Sequence, residues 1–184
     1  MNKWKPIEGT FAVGIGHRAR QGKDTAANYI LKQFGGEKFS FAKALYHIAR
    51  VEHGMKEKDP RLLQILGTEV YRHTRGEDIW INTAYYDVLD SRPAIALFPD
   101  VRFPNEAKMV TDMGGILIKV TRLNKDGSAF VAPDRDPNHP SEASLNDFKG
   151  WTFDLKIKDG DIAGLNGEIG KIMNSLIAVD RIVL

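Results

Sequence analysis

The stretch Thr10-Phe11-Ala12-Val13-Gly14-Ile15-Gly16-His17-Arg18-Ala19-Arg20-Gln21-Gly22-Lys23-Asp24-Thr25 decides how the rest of the chain is read. Thr10 to Ile15 is a short apolar run ending against glycine, which predicts a buried strand. From Asp24 to Phe34 the apolar residues Ala27, Ile30, Leu31 and Phe34 recur at helical spacing, and Gly35-Gly36 supplies a stop. A strand, a glycine-bearing loop and a helix in immediate succession form the context of a phosphate-binding loop. Backbone N–H groups and the helix N-terminus present partial positive charge there, and Lys23 adds a full one. Gly22 permits close approach of the backbone to a phosphate. Arg18 and Arg20 in the same loop favour a polyphosphate over a neutral ligand. Measured against the pattern Gly, four residues, Gly-Lys and Ser or Thr, His17 stands where the first glycine is expected. Asp24 follows the lysine, with Thr25 next. As a bare pattern, the match also fits a simple turn with a basic surface.

Outward from this loop, strand and helix patterns alternate. Lys38 to Phe41 predicts a second, shorter strand, and Leu45, Ile48 and Ala49 a helix before Gly54. Leu62, Leu63, Ile65, Leu66 and Val70 mark a helix after Pro60, and another is expected over Ile79 to Leu89. Ala94 to Phe98 is too continuously apolar for a half-exposed strand. Asn105 to Met113 predicts a short helix ended by Gly114-Gly115, and Ile116 to Thr121 a strand. Phe153 to Ile157 completes a set of five strands. Ile162, Leu165, Ile169, Ile172, Met173 and Leu176 define a final amphipathic helix. The expected class is α/β, a three-layer arrangement with a parallel five-stranded sheet covered by helices on both faces. Ligands in such folds bind beyond the carboxyl ends of the strands.

Composition narrows the function classes. The chain has 184 residues, 42% hydrophobic and 27% charged, with 26 Lys+Arg against 24 Asp+Glu. That length suits one domain over 1–184, without repeats or low-complexity tracts. The absence of cysteine excludes disulfide scaffolds, Cys-based zinc sites and thiol chemistry. A net charge of +2 does not by itself signal nucleic-acid or membrane binding. Apolar runs are far shorter than a membrane span, and Met1 to Pro6 is too polar for a signal peptide. A soluble cytoplasmic protein is expected. The five histidines show no metal-ligand spacing, and no serine-nucleophile elbow is present.

Gly22-Lys23-Asp24-Thr25, preceded by Ala19-Arg20-Gln21, resembles the Gly-Lys-Asp-Thr loop of the bacteriophage deoxynucleoside monophosphate kinases, in the adenylate-kinase-like branch of P-loop kinases. Three further segments are similar, in the same order. They are Leu63-Gln64-Ile65-Leu66-Gly67-Thr68-Glu69 with Arg72 and Trp80, then Asp100-Val101-Arg102-Phe103-Pro104-Asn105-Glu106-Ala107, then His139-Pro140-Ser141-Glu142. The likeness spans about residues 11 to 175. It implies a P-loop NTPase fold with a lid at about 122–141 and an acceptor-binding region at about 42–90. It also implies transfer of the ATP γ-phosphate to a deoxynucleoside monophosphate with Mg²⁺, in host cytoplasm if phage-encoded.

Roles can then be set beside simpler accounts. Lys23 with Arg20, Gly22, Asp24 and Thr25, joined by Arg135 from the lid, would bind ATP. Asp100, at a strand end beside the loop, is placed to hold Mg²⁺ with Asp24 or Thr25, or only to cap a turn before Pro104. Arg102 suits a substrate phosphate, or a salt bridge to Glu106 four residues on. Asn105 and Glu106 suit a helix N-terminus. Gln64 offers donor and acceptor to a base edge, Arg72 suits an α-phosphate, and Trp80 has a face for stacking. Equally, Gln64 lies in an apolar helix stripe, Trp80 has core spacing with Ala84, and Arg72-His73-Thr74-Arg75 suits a solvated helix end. Arg122 to Pro140 is long for a connection, and Arg122 and Arg135 could close over the transferring phosphate. Asp126, Asp134 and Asp136 could instead neutralise them. By resemblance Glu142 belongs to the lid-end segment and the acceptor site; by itself it reads as a first-turn helix acid.

An acceptor phosphate is already anionic near neutrality, so no general base is required. Three alternatives stay open: a kinase like animal phosphomevalonate kinase, a non-catalytic nucleotide-binding module, and a nucleic-acid binder using Arg18, Arg20, Lys23, Arg72 and Arg75. No nucleic acid or membrane partner is expected. Ile177-Ala178-Val179 and Ile182-Val183-Leu184 would pack on the domain or on a second subunit, making a homodimer.

Overall fold

Parallel strands buried on both faces carry the architecture. The computed structural model describes residues 3–182. Its strands are β1 (Phe11–Gly16), β2 (Glu37–Lys38), β3 (Ile95–Val101), β4 (Ile116–Leu123) and β5 (Phe153–Lys158). They form one sheet in the order β2-β3-β1-β4-β5, with every pairing parallel. The helices are α1 (Lys23–Phe34), α2 (Lys43–Val51), α3 (Pro60–Gln64), α4 (Tyr71–Arg75), α5 (Ile79–Ser91), α6 (Pro104–Asp112), α7 (Pro140–Ala143) and α8 (Ile162–Ala178). A π-helical turn, Ile65–Val70, joins α3 to α4.

Strand side chains alternate between two apolar layers, as the twofold period of a strand requires. Ala12, Ala96, Phe98 and Leu117 face one layer, built with α2, α5 and α6. Phe11, Val13, Ile15, Ile95, Leu97, Ile116 and Ile118 face the other, where α1 contributes Ala26, Ala27 and Ile30. Leu165, Ile169, Met173 and Leu176 of α8 complete that second layer. Each fully buried Ile or Leu stabilises the fold by about 1.5–3 kcal/mol. Ile177 packs against the same layer and Ile182 is buried in it. Val183 and Leu184 lie outside the described residues, as do Met1 and Asn2.

Two expected strands change their limits. The segment Lys38 to Phe41 is not a strand throughout: the β2 ladder ends at Lys38. The Phe39 N–H still donates to Leu97 O at 2.8 Å, but the Ser40 hydroxyl then accepts from Ala42 N–H at 3.1 Å and turns the chain. Such local side-chain bonds compete with a ladder. Conversely, β3 runs past Phe98 to Val101, so Asp100 is the strand's next-to-last residue rather than lying beyond it. Gly14 pairs with Phe98 but Gly16 with Val101, so β3 carries an extra residue at Pro99-Asp100. Proline cannot donate to the ladder, and a bulge there re-aims the following side chain.

The stretch after β4 is more ordered than its composition suggests. Leu123 and Ala129 form an antiparallel bridge, and Phe130 N–H donates to Arg122 O at 2.8 Å. Residues 131–138 are irregular, and α7 then starts at Pro140, with the His139 ring accepting from Ser141 N–H at 3.2 Å.

Candidate active site

Because all five strands are parallel, their carboxyl ends converge on one edge of the sheet. The loop after β1 lies there. Gly22, at φ 97°, occupies the left-handed conformation that turns the loop into α1, a geometry glycine adopts without strain. Lys23 follows and is buried, its ammonium donating to the carbonyl of Arg18 within its own loop. Burial, and secondarily the Arg102 charge, bring its pKa down to about 7.

Two cavities flank this lysine. The first, about 380 Å³, lies between the loop and the start of α8; Gly22, Thr25 and Arg122 line it, with Lys158, Asp159 and Gly160 beyond β5. Arg122 lies 4.2 Å over the Phe130 ring and ion-pairs through Nε with Asp159 at 2.7 Å. The second, about 640 Å³, lies over β3 and the helices α2 to α5; Asp100, Arg102, Arg135, Gln64, Arg72 and Trp80 line it. Arg20, Lys23 and Asp24 belong to both walls. The loop lysine therefore stands at the boundary between two compartments.

The carboxylates divide their work. Asp100 Oδ2 accepts from Ser40 Oγ at 2.6 Å and Ala42 N–H at 3.2 Å, while its Oδ1 is buried without a partner. Burial raises its pKa, against the pull of Ser40, Ala42 and Arg102. An anionic oxygen left unbonded in a cavity wall suits a cation. Asp24 is exposed and ion-pairs with Lys38 at 2.8 Å, and Thr25 is the next position on the first turn of α1. Among the described residues no group of three His, Cys, Asp or Glu converges on a point. A divalent ion that keeps waters and substrate phosphate oxygens as most of its shell fits such a donor set; Asp100 with Asp24 or Thr25 would hold it.

Arg102 does not pair with Glu106 through its side chain. Its guanidinium donates to Glu142 Oε1 at 2.6 Å and Ser141 O at 3.1 Å. Glu106 instead accepts from the backbone N–H groups of Arg102 at 2.7 Å and Phe103 at 3.1 Å, closing the N-terminus of α6. Its other oxygen pairs with Arg72, and both side chains are buried. Arg72 also donates to Glu77 O at 2.8 Å and lies 4.0 Å over Phe103. Burial pushes the Glu106 carboxyl upward against the Arg72 charge. Trp80 is packed in the helical layer, its indole N–H donating to Gly67 O at 2.9 Å. Gln64 reaches Ser141 Oγ at 3.4 Å.

Glu142 is buried, and its Oε2 accepts from the N–H of Ala19 in the β1–α1 loop at 2.9 Å. This carboxylate ties α7 to the loop and to the end of β3. Arg135 stands in the second cavity, whereas Arg122 stands in the first. Arg20 pairs with Asp134 at 2.8 Å, so this aspartate meets the loop rather than Arg122 or Arg135.

Several residues escape sequence reasoning. Gln21 is buried and binds three ways: its amide nitrogen reaches Phe130 O at 2.9 Å and Ala19 O at 3.4 Å, and its oxygen accepts from Arg122 N–H at 2.7 Å. Nothing local in the sequence marks it. The Lys158–Ile162 turn and Ser40 could have been found, because each follows a strand at its carboxyl end.

No protein-family model matches the chain. The chain is homologous to two curated proteins. One, from Acanthamoeba polyphaga mimivirus, bears the name "Putative deoxynucleotide monophosphate kinase" and is 29% identical over 178 residues, spanning 78% of this chain and 86% of its own length. The other, the deoxynucleoside-5'-monophosphate kinase of Escherichia phage T5, is 29% identical over 90 residues, which is 46% of this chain and 34% of the phage enzyme. Both are distant relatives, and both names describe nucleotide kinases.

Proposed function

We propose that this protein transfers the γ-phosphoryl group of ATP to the phosphate of a deoxynucleoside monophosphate, giving the diphosphate and ADP. The observation that carries the reading is the shared wall of Arg20, Lys23 and Asp24 between two nucleotide-sized cavities. A reaction joining two phosphorylated ligands needs one cationic group at their junction, and Lys23 stands there. ATP would occupy the smaller cavity, its triphosphate in the loop and its base toward Arg122 and the β5–α8 turn. The monophosphate would occupy the larger one, its phosphate toward Arg102 and Arg135.

An oxygen of the acceptor phosphate attacks the γ-phosphorus, and the bond to the β-phosphate oxygen breaks. The acceptor is already anionic, so no protein base takes a proton in this step. Catalysis then rests on positioning and charge neutralisation by Lys23 and Arg102, with Arg72 behind them. When bound, Mg²⁺ would neutralise phosphate charge, and the unpartnered Asp100 oxygen is the protein group that suits it.

The test is an ATP-consumption assay with Mg²⁺ across deoxynucleoside and ribonucleoside monophosphates and phosphomevalonate. Turnover with deoxynucleotides, reduced at least about 10³-fold in Lys23→Met, is the expected result. A folded Lys23→Met protein with undiminished turnover, or turnover of phosphomevalonate alone, would sink the reading.

A further inference from the structure

The larger cavity has walls of two kinds. The start of α1 supplies Lys23 and the end of β3 Asp100 and Arg102, while α2 to α5 with the π-helical turn supply Leu45, Leu63, Gly67 and Trp80. A nucleotide whose phosphate meets the first wall presents its base to the second. Gly67 is the unusual member of that wall. It lies inside the π-helical turn, where glycine is the poorest helix former after proline. Its φ is not among the positive values, so the backbone does not require glycine there.

What requires the missing side chain is Leu45. A Cβ built at Gly67 would stand 2.7 Å from Leu45 Cδ2, and the next nearest atoms are Leu45 Cδ1 at 3.7 Å and Cγ at 3.8 Å. Leu45 of α2 thus lies directly on the backbone of the turn. The same turn is also fixed by a hydrogen bond, because the Gly67 carbonyl accepts the Trp80 indole N–H. A π-helical turn is wider than an α-turn and is frequent at functional sites. With the turn held by Trp80, a side chain at position 67 displaces the flexible Leu45 end, and the open space beside it is the cavity.

We propose that Gly67 sets the size of base the acceptor cavity admits: by seating Leu45 flat against the π-helical turn, it keeps room for a purine. This rests on the reading of the cavity as a deoxynucleoside monophosphate site. Gly67 is a specificity-determining position acting through Leu45. It touches no reacting atom.

The test compares wild type, Gly67→Ala and Gly67→Ala/Leu45→Ala, measuring kcat/KM for dGMP, dAMP, dTMP and dCMP and the KM for ATP. Crowding a pocket by about one methylene changes discrimination by about 10-fold to 200-fold. Gly67→Ala should therefore lower kcat/KM for dGMP and dAMP by about 10-fold or more and change dTMP and dCMP by less than about 3-fold. ATP KM should stay within about 2-fold, and the Leu45→Ala change should restore the purines. Should Gly67→Ala fail to fold, Leu45→Phe enlarges the same wall from α2 and should give the same purine-selective loss. Equal losses for all four acceptors, no loss, or a wild-type enzyme confined to pyrimidines would overturn the Gly67 inference while the kinase reading stands. Absence of turnover by the wild-type protein with any monophosphate would overturn both.

Discussion

Binding of ATP at the Lys23 loop, as proposed, should draw a proton from solution. In the ligand-free protein burial holds the Lys23 ammonium at a pKa of about 7, with Arg102 pressing in the same direction. At pH 8, about nine-tenths of the molecules then carry a neutral Lys23 amine. A bound triphosphate places several negative charges against that amine and returns its pKa toward the ordinary lysine range, above 10. Binding of Mg·ATP should take up about 0.9 proton per site at pH 8, about 0.5 at pH 7 and about 0.1 at pH 6. The sign follows from the protonated form being favoured by the ligand: affinity weakens as pH rises through 7, by nearly tenfold per unit above pH 8. Titration calorimetry at pH 8, in buffers with small and large ionisation enthalpies, measures the uptake directly. Lys23→Met should abolish it, and Arg102→Ala should reduce it by letting the free lysine keep its proton. An observed binding enthalpy independent of buffer, or an uptake that persists in Lys23→Met, refutes the reasoning. The same shift acts on folding. A lysine depressed in the folded state destabilises it in full below about pH 7, and that penalty fades as pH rises toward the unfolded value. Between pH 7 and 9 the wild-type protein should gain unfolding free energy relative to Lys23→Met, as measured by urea titration.

Three other outcomes are expected. Arg72→Ala leaves the Glu106 carboxylate buried without its partner, so urea unfolding should show a loss of about 3–5 kcal/mol; a loss below about 1 kcal/mol would deny the pair its structural role. Asp100→Asn keeps an oxygen for Ser40 and Ala42 but removes the anionic charge, so the Mg²⁺ concentration for half-maximal turnover should rise about tenfold or more with little change in melting temperature. Gln21→Ala removes the bonds joining the loop to Phe130 and Arg122, and limited proteolysis should cut residues 131–138 faster.

The sheet and its helices are legible in the sequence because burial on both faces leaves long apolar runs, such as Ala94 to Phe98. The short second strand misleads for a local reason: Ser40 carries a hydroxyl that bends the chain toward Asp100, and apolar patterning does not register it. In the sequence Lys23 is marked by the glycine-bearing loop between a strand and a helix, and Asp100 by its place at a strand end, where parallel folds gather ligands. Arg102 is readable as an arginine at the strand end, and the structure puts it in the cavity wall, yet its bond to Glu142 spans 40 residues and could not be told from a bond to nearby Glu106. Glu142 meeting Ala19 joins positions 123 residues apart, and no spacing rule foresees it. The π-helical turn is equally hidden, since one widened turn barely disturbs helical periodicity.

The strand order has a consequence for how the protein comes into being. β1 leads into the Lys23 loop and lies at the centre of the sheet, yet both its neighbours, β3 and β4, are made long after it: Phe11 pairs with Ile95 and Gly16 with Lys119. Pairings across such sequence distances make folding slow, because the intervening chain must be ordered first. A nascent chain shorter than about 120 residues therefore holds the loop's residues without the frame that shapes them. The apolar first strand waits unpaired through most of synthesis, so chaperone occupancy of nascent chains should fall only once β4 has left the ribosome.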